Sequence, residues 1–273
     1  MMNFDNSWQA LFRPSQSNHF FDLTNTRRIR IDSPYFCPIN AWWLAEISRL
    51  IYKHNGTTKA RTYFLQNVNF TEVSFFDRGG TQCSIIFSRD CNNKKFAILV
   101  FRGTNELIDY ISDIKTGMVK WRKGGSVHRG FCDSFFNSWP LVSKELERIK
   151  VPIIFTGHSQ GGALATLAAS MRAPNVLYTF GSPKVGDKKF KDTLEKVKIY
   201  RVVNNSDIIT KLSISIPNCK YVHVGKLQCL EENLNNNIMK LSKYKHLRWY
   251  DPPRILSEHA PVNYVARLER LLL

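Results

Sequence analysis

Ser159 stands between residues that could make its hydroxyl reactive. It lies in Gly157-His158-Ser159-Gln160-Gly161, between the apolar run Ile153-Ile154-Phe155 and an Ala-rich segment from Gly162 to Met171. An apolar run entering, two glycines around the serine and a helical pattern leaving are what a sharp strand-to-helix turn needs, because any larger side chain would crowd it. The hydroxyl then projects at a helix amino end, where free N–H groups and the helix dipole favour developing negative charge. The chemistry on offer is nucleophilic attack with a covalent intermediate.

Such a serine needs a base and a carboxylate to orient that base, and after a turn of this kind they follow in the order acid, then histidine. The acids downstream are Asp187, Asp192, Glu195, Asp207, Glu231, Glu232, Asp251, Glu258 and Glu269. Only Asp207 directly follows a strongly β-type run, Ile199-Tyr200-Arg201-Val202-Val203, through Asn204-Asn205-Ser206. Catalytic groups of parallel sheets sit at the carboxyl ends of strands. Asp187 and Asp192 lie among Lys184, Lys188, Lys189 and Lys191 and read as surface partners of those lysines. Among the histidines, His223 alternates within Tyr221-Val222-His223-Val224 as a strand residue would, and His246 lies in a basic run. His259 precedes Pro261, which suits a helix N1 position and leaves the imidazole on the loop entering the last helix. Ser159, Asp207 and His259 are therefore the candidate triad.

An oxyanion formed at Ser159 requires backbone donors, one from Gln160 and one from an earlier strand-to-helix loop. The buried-strand pattern Phe96–Phe101 ends in Arg102-Gly103-Thr104-Asn105, which puts the Thr104 N–H in that place and its hydroxyl in reach of the second donor. The same tripeptide also reads as an ordinary strand-ending turn. Directly after it, Leu107, Ile108, Ile111 and Ile114 share one helical face within Asn105–Ile114, the pattern of a short amphipathic helix able to cover Ser159; a fixed core helix has the same pattern.

These motifs together resemble the class 3, or fungal-type, lipases of the α/β-hydrolase superfamily. The resemblance runs through Asn40–Glu46, Val100–Thr104, Val127–Phe131, Gly157–Ala165, Thr179–Gly186 and Arg201–Asp207. It implies Ser159, Asp207 and His259 as triad, Thr104 and Gln160 as oxyanion pair, and a mobile lid. Gln160 departs from the family, which more often has Leu there, although the backbone donor is unaffected. The polar, Asn-rich stretch from Leu227 to Lys245 matches no family block and reads as an insertion.

The elements that must position these residues alternate along the chain. Strands are expected near Thr81–Ser88, Phe96–Phe101, Val151–Thr156, Val176–Phe180, Ile199–Val203 and Tyr221–Val224, and helices at Asn40–Lys53, Phe131–Ile149, Gly162–Met171 and Pro261–Leu273. This is an α/β pattern: a central, mostly parallel sheet flanked by helices, in a single domain over residues 1–273.

Six cysteines, Cys37, Cys83, Cys91, Cys132, Cys219 and Cys229, form no close Cys-x-x-Cys pairs, so a zinc site is not expected and buried thiols are the default, with disulfides still open. No metal or organic cofactor is required by serine chemistry. The first residues lack the basic start and apolar run of a signal peptide, and no stretch reaches the roughly 18 apolar residues of a membrane span. The expectation is a cytoplasmic protein, or one exported without a cleaved signal.

The net charge of +17 is the other informative quantity. It concentrates around Lys120–Lys123, Lys184–Lys198 and Lys240–Arg254 and favours an anionic surface, with Trp121 a candidate contact. Nucleic acid is the competing partner, yet no recognition motif accompanies the charge. The function expected is hydrolysis of lipid carboxylic esters, of triacylglycerol-lipase or phospholipase A1 type, through an acyl-enzyme on Ser159. A catalytically silent lipid- or membrane-binding protein with the same fold is the alternative. Nothing in the sequence specifies an oligomeric state.

Overall fold

A computed structural model describes residues 2–23, 28–53, 59–88, 95–104, 117–211, 220–230 and 252–273. Its centre is a seven-stranded sheet that runs, from edge to edge, through β1 (Phe70–Arg78), β2 (Thr81–Ser88), β3 (Ala97–Phe101), β6 (Ile153–His158), β7 (Val176–Phe180), β8 (Ile199–Asn204) and β9 (Lys226–Leu230). β1, β2 and β3 pair antiparallel, and from β3 to β9 every pairing is parallel. A separate two-stranded ribbon joins β4 (Met118–Lys120) to β5 (Ser126–His128).

Alternation along β3 explains the layering. Ile98 and Val100 face one apolar core, while Ala97, Leu99 and Phe101 face the other, and all five are fully buried. A strand covered on both faces reads as an unbroken apolar run, as this one does. The first core is closed by helices α2 (Pro38–Leu50) and α8 (Pro261–Leu272), the second by α4 (Arg129–Arg148) and α5 (Gln160–Met171). Smaller helices are α1 (Trp8–Phe12), α3 (Lys59–Gln66), α6 (Lys188–Asp192) and α7 (Arg254–Ser257). Each fully buried Phe, Leu or Ile contributes about 1.5–3 kcal/mol, which makes this double core the dominant stabilising term.

The mostly parallel, helix-flanked sheet agrees with the sequence pattern, and the differences lie at its margins. β1 has no counterpart in that pattern: its residues, Phe-Thr-Glu-Val-Ser-Phe-Phe-Asp-Arg, break their alternation where the register shifts between Glu72 and Ser74, and most are only half-buried or exposed. Tyr221–Val224, expected as a strand, contributes only a single bridge from Val222 to Gly186, and the outer strand forms later as β9, which begins one residue before the stretch read as an insertion and runs into it. Trp121 is no surface contact either. It is 4 % exposed, packs edge-on against Phe135 and Phe190, and donates its indole N–H to Ser170 Oγ at 2.9 Å. Its apolar body outweighs the basic residues beside it. Asn105–Ile114, His246, Cys91, Cys219 and Lys240–Asp251 lie outside the described residues.

Candidate active site

β6 ends at His158 and α5 begins at Gln160, leaving Ser159 alone at the turn with φ 58° and ψ −128°. A non-glycine residue in this region is strained and persists only where its surroundings impose it. Here they do: the Ser159 N–H donates to Phe180 O at 2.8 Å, and the flanking backbone is packed too tightly for any side chain. A Cβ on Gly157 would overlap Gly161, and one on Gly161 would overlap the Phe101 carbonyl. The glycines thus serve close approach, and their position around Ser159 is a consequence of it.

The three candidate side chains meet at the carboxyl end of the sheet. His259 Nε2 lies 2.9 Å from Ser159 Oγ, and His259 Nδ1 lies 2.8 Å from Asp207 Oδ2. All three residues are buried. A carboxylate accepts only, so His259 Nδ1 carries a hydrogen and Nε2 presents its lone pair to the serine hydroxyl. Asp207 is fixed from several directions. Its Oδ1 accepts the Ile209 N–H at 2.9 Å, and its Oδ2 also accepts the Tyr264 hydroxyl at 2.6 Å. Burial, with the Asp207 charge adding to it, raises the Tyr264 phenol well above its ordinary pKa, so it remains a donor. Tyr264 in turn accepts the Asn204 N–H at 3.3 Å, and the Asn204 amide donates to Glu258 O at 2.7 Å, tying the end of β8 to the histidine loop.

The last helix anchors that loop. Pro261 occupies the first turn of α8, and Ala260 stands as its amino cap. The buried Glu258 carboxylate receives Arg267 at 3.1 Å from the same helix. Gly181 leaves the space that Asp207 and His259 occupy: a Cβ there would stand 2.9 Å from Asp207 Oδ2 and 3.0 Å from His259 Nδ1.

Gln160 is the first residue of α5, so its N–H has no acceptor within the helix. Thr104 follows Gly103, on which a Cβ would lie 3.3 Å from the Ser159 Cβ, so this loop lies directly against the serine. The Gln160 side chain points elsewhere, its amide 3.4 Å from Ser134 Oγ, which is why a polar residue is tolerated there. Of the other histidines, His223 is not in a strand; its Nε2 lies 2.9 Å from Thr210 O.

Sequence reasoning passed over Tyr264, Asn204, Tyr52 and His158. The two tyrosines look like core residues in any local pattern, and only the tertiary structure reveals where their hydroxyls point. Among the described residues no group of three or more His, Cys, Asp or Glu side chains is arranged to hold a metal ion.

Residues 98–216 match the model of the class 3 lipase family. A lipase of Rhizomucor miehei is 31 % identical over 160 residues, covering 52 % of this chain and 44 % of that protein. A chloroplastic phospholipase A(1) of Arabidopsis thaliana is 30 % identical over 151 residues, 44 % of this chain and 34 % of its own length. The chain thus spans less than half the length of these curated relatives. The structure of lipase II from Rhizopus niveus superposes with a TM-score of 0.53 at 23 % identity, over 80 % of this chain and 92 % of that one, which is a likeness of fold. The matched segment holds the elbow serine and runs past Asp207, so over this central part the chain is similar to the class 3 lipases.

Proposed function

We propose that this protein hydrolyses carboxylic esters of lipids through an acyl-enzyme on Ser159. The observation that carries the proposal is the continuous path from Ser159 Oγ through His259 to Asp207, at 2.9 and 2.8 Å, beside the open amino end of α5. Ser159 Oγ attacks the acyl carbon while His259 Nε2 takes its proton. The N–H groups of Thr104 and Gln160 hold the negative oxygen. Collapse of the tetrahedral species releases the alcohol, which leaves with the proton from His259, and water then repeats the cycle on the acyl-serine. Asp207, bonded to His259 Nδ1, holds the imidazole in its tautomer and stabilises the imidazolium.

The names of the relatives, a lipase and a phospholipase A(1), support a lipid acyl ester as substrate and leave acylglycerol and phospholipid both open. A complete proton path argues against the catalytically silent alternative. The net charge of +17 supports adsorption to anionic lipid surfaces as the setting in which the ester is met. Turnover of p-nitrophenyl butyrate tests the chemistry: Ser159→Ala and His259→Ala should each lose activity by factors on the order of 10⁴ or more while remaining folded. Substantial activity in purified Ser159→Ala would remove the assignment.

A further inference from the structure

His158 precedes the candidate nucleophile and has no part in the proton path, yet both of its ring nitrogens are engaged in the fully buried interior. Nε2 lies 2.7 Å from the backbone carbonyl oxygen of His259, and Nδ1 lies 3.1 Å from the Tyr52 hydroxyl. A carbonyl oxygen only accepts, so Nε2 carries the hydrogen. The lone pair of the neutral ring is then at Nδ1 and accepts the Tyr52 O–H. The Tyr52 oxygen is itself the acceptor of the Gly103 N–H, and Gly103 sits so close that a Cβ on it would overlap that hydroxyl. Every donor in this series has one acceptor, and the direction of each bond is fixed by its ends. It runs from the loop carrying Thr104 to the main chain of the candidate base.

We propose that His158 is a positioning residue: through Gly103 N–H, Tyr52 O–H and its own Nε2–H, it locks the oxyanion loop and the backbone of His259 into one register around Ser159. This role rests on the hydrolytic reading of Ser159. Its physical value is preorganisation, because donors must stand where charge develops and the base must stand within hydrogen-bond reach of the hydroxyl at the same time. An apolar residue could fill the space but could not link the two loops.

The ring must also stay neutral. His158 and His259 rings lie 4.7 Å apart, so a charge on the first would oppose the imidazolium that forms on the second during attack. Tyr52, Tyr264 and His259 are the titratable groups packed on His158, and none brings a negative charge at neutral pH. Burial, and after it the proximity of His259, holds the His158 pKa well below its ordinary value.

Two measurements decide the proposal. In the wild-type protein labelled with ¹⁵N-histidine and assigned sequentially, His158 should show the neutral, Nε2-protonated signature at every pH from about 5 to 9. A hydrogen on Nδ1, or titration near 6.5, would overturn the proposed bond order. For catalysis, the amide of Gln can place a donor where Nε2 stands, whereas that of Asn falls near Nδ1. With p-nitrophenyl butyrate, His158→Asn should therefore lose kcat on the order of 10- to 100-fold at a nearly constant KM, and His158→Gln should recover most of it. Equal loss in both variants, with wild-type turnover intact, would contradict the positioning role alone; absence of wild-type turnover would instead contradict the hydrolytic reading. Should neither variant fold, Tyr52→Phe keeps the volume and removes one link: kcat should fall about tenfold, and an unchanged kcat would contradict the proposal.

Discussion

At the scale of residues, the three side chains that meet at Ser159 were far more legible in the sequence than the groups that hold them. Ser159 was marked by its glycines, Asp207 by the strand before it and His259 by Pro261, all local signals. The Tyr264 hydroxyl on Asp207 and the Tyr52 hydroxyl on His158 are bonds across 57 and 106 positions of chain, and no local pattern carries them. Burial of the histidines has a measurable consequence for stability. His158 is held well below its ordinary pKa by burial and then by His259, and His223 is lowered to about 4 by burial and then by Arg201. Unfolding lets both take up protons below about 6.5, so the unfolded chain binds more protons and stability falls as pH drops. Glu46, raised by burial against the opposing pull of Arg49, has the reverse sign and offsets part of this. Urea unfolding at pH 7 and pH 5 should show the loss, and His223→Gln should flatten it by up to about 1.4 kcal/mol per pH unit. Identical pH slopes in the two proteins would contradict this origin.

At the scale of elements, the central strands were readable because burial on both faces leaves an unbroken apolar run, as in Ala97–Phe101 and Val176–Phe180, both buried throughout. β1 and β9 were missed for the complementary reason. As edge strands with one neighbour each, they retain Glu72, Asp77, Lys226 and Gln228, and their pairing is decided by the strand beside them. The turn after β7 supplies the sharpest test of element geometry. Gly181 has φ +58°, and its absent side chain leaves the space occupied by Asp207 Oδ2 and His259 Nδ1. Gly181→Ala changes no chemical group, yet it should push the acid and base apart and lower kcat/KM on the order of 100-fold, with a smaller loss of thermal stability. Parallel measurement of p-nitrophenyl butyrate turnover and unfolding temperature checks this; unaltered turnover would mean that the pair tolerates displacement.

At the scale of the molecule, the parallel sheet has two unlike ends. Ser159, Asp207 and His259 gather at the carboxyl end, whereas a groove of about 430 Å³ at the amino ends of β8 and β9 is lined by Lys191, Lys196, Lys198 and Lys226 together with Glu195. Charge attraction through that groove would bring the protein to an anionic surface without presenting Ser159 to it, so adsorption and catalysis should respond differently to salt. Co-sedimentation with vesicles should rise with their anionic lipid content and weaken from 0.05 to 0.5 M salt (about a threefold shorter Debye length), while soluble ester turnover stays nearly constant. Equal binding to neutral and anionic vesicles would remove charge as the cause. Both the chemistry and its positioning depend on Ser159 being the activated nucleophile, and the most direct measurement is covalent. Incubation with a fluorophosphonate and then intact mass and peptide mapping should give one adduct per chain on Ser159, none in Ser159→Ala and markedly slowed labelling in His259→Ala. An unmodified wild-type protein, or an adduct on another residue, would contradict the assignment.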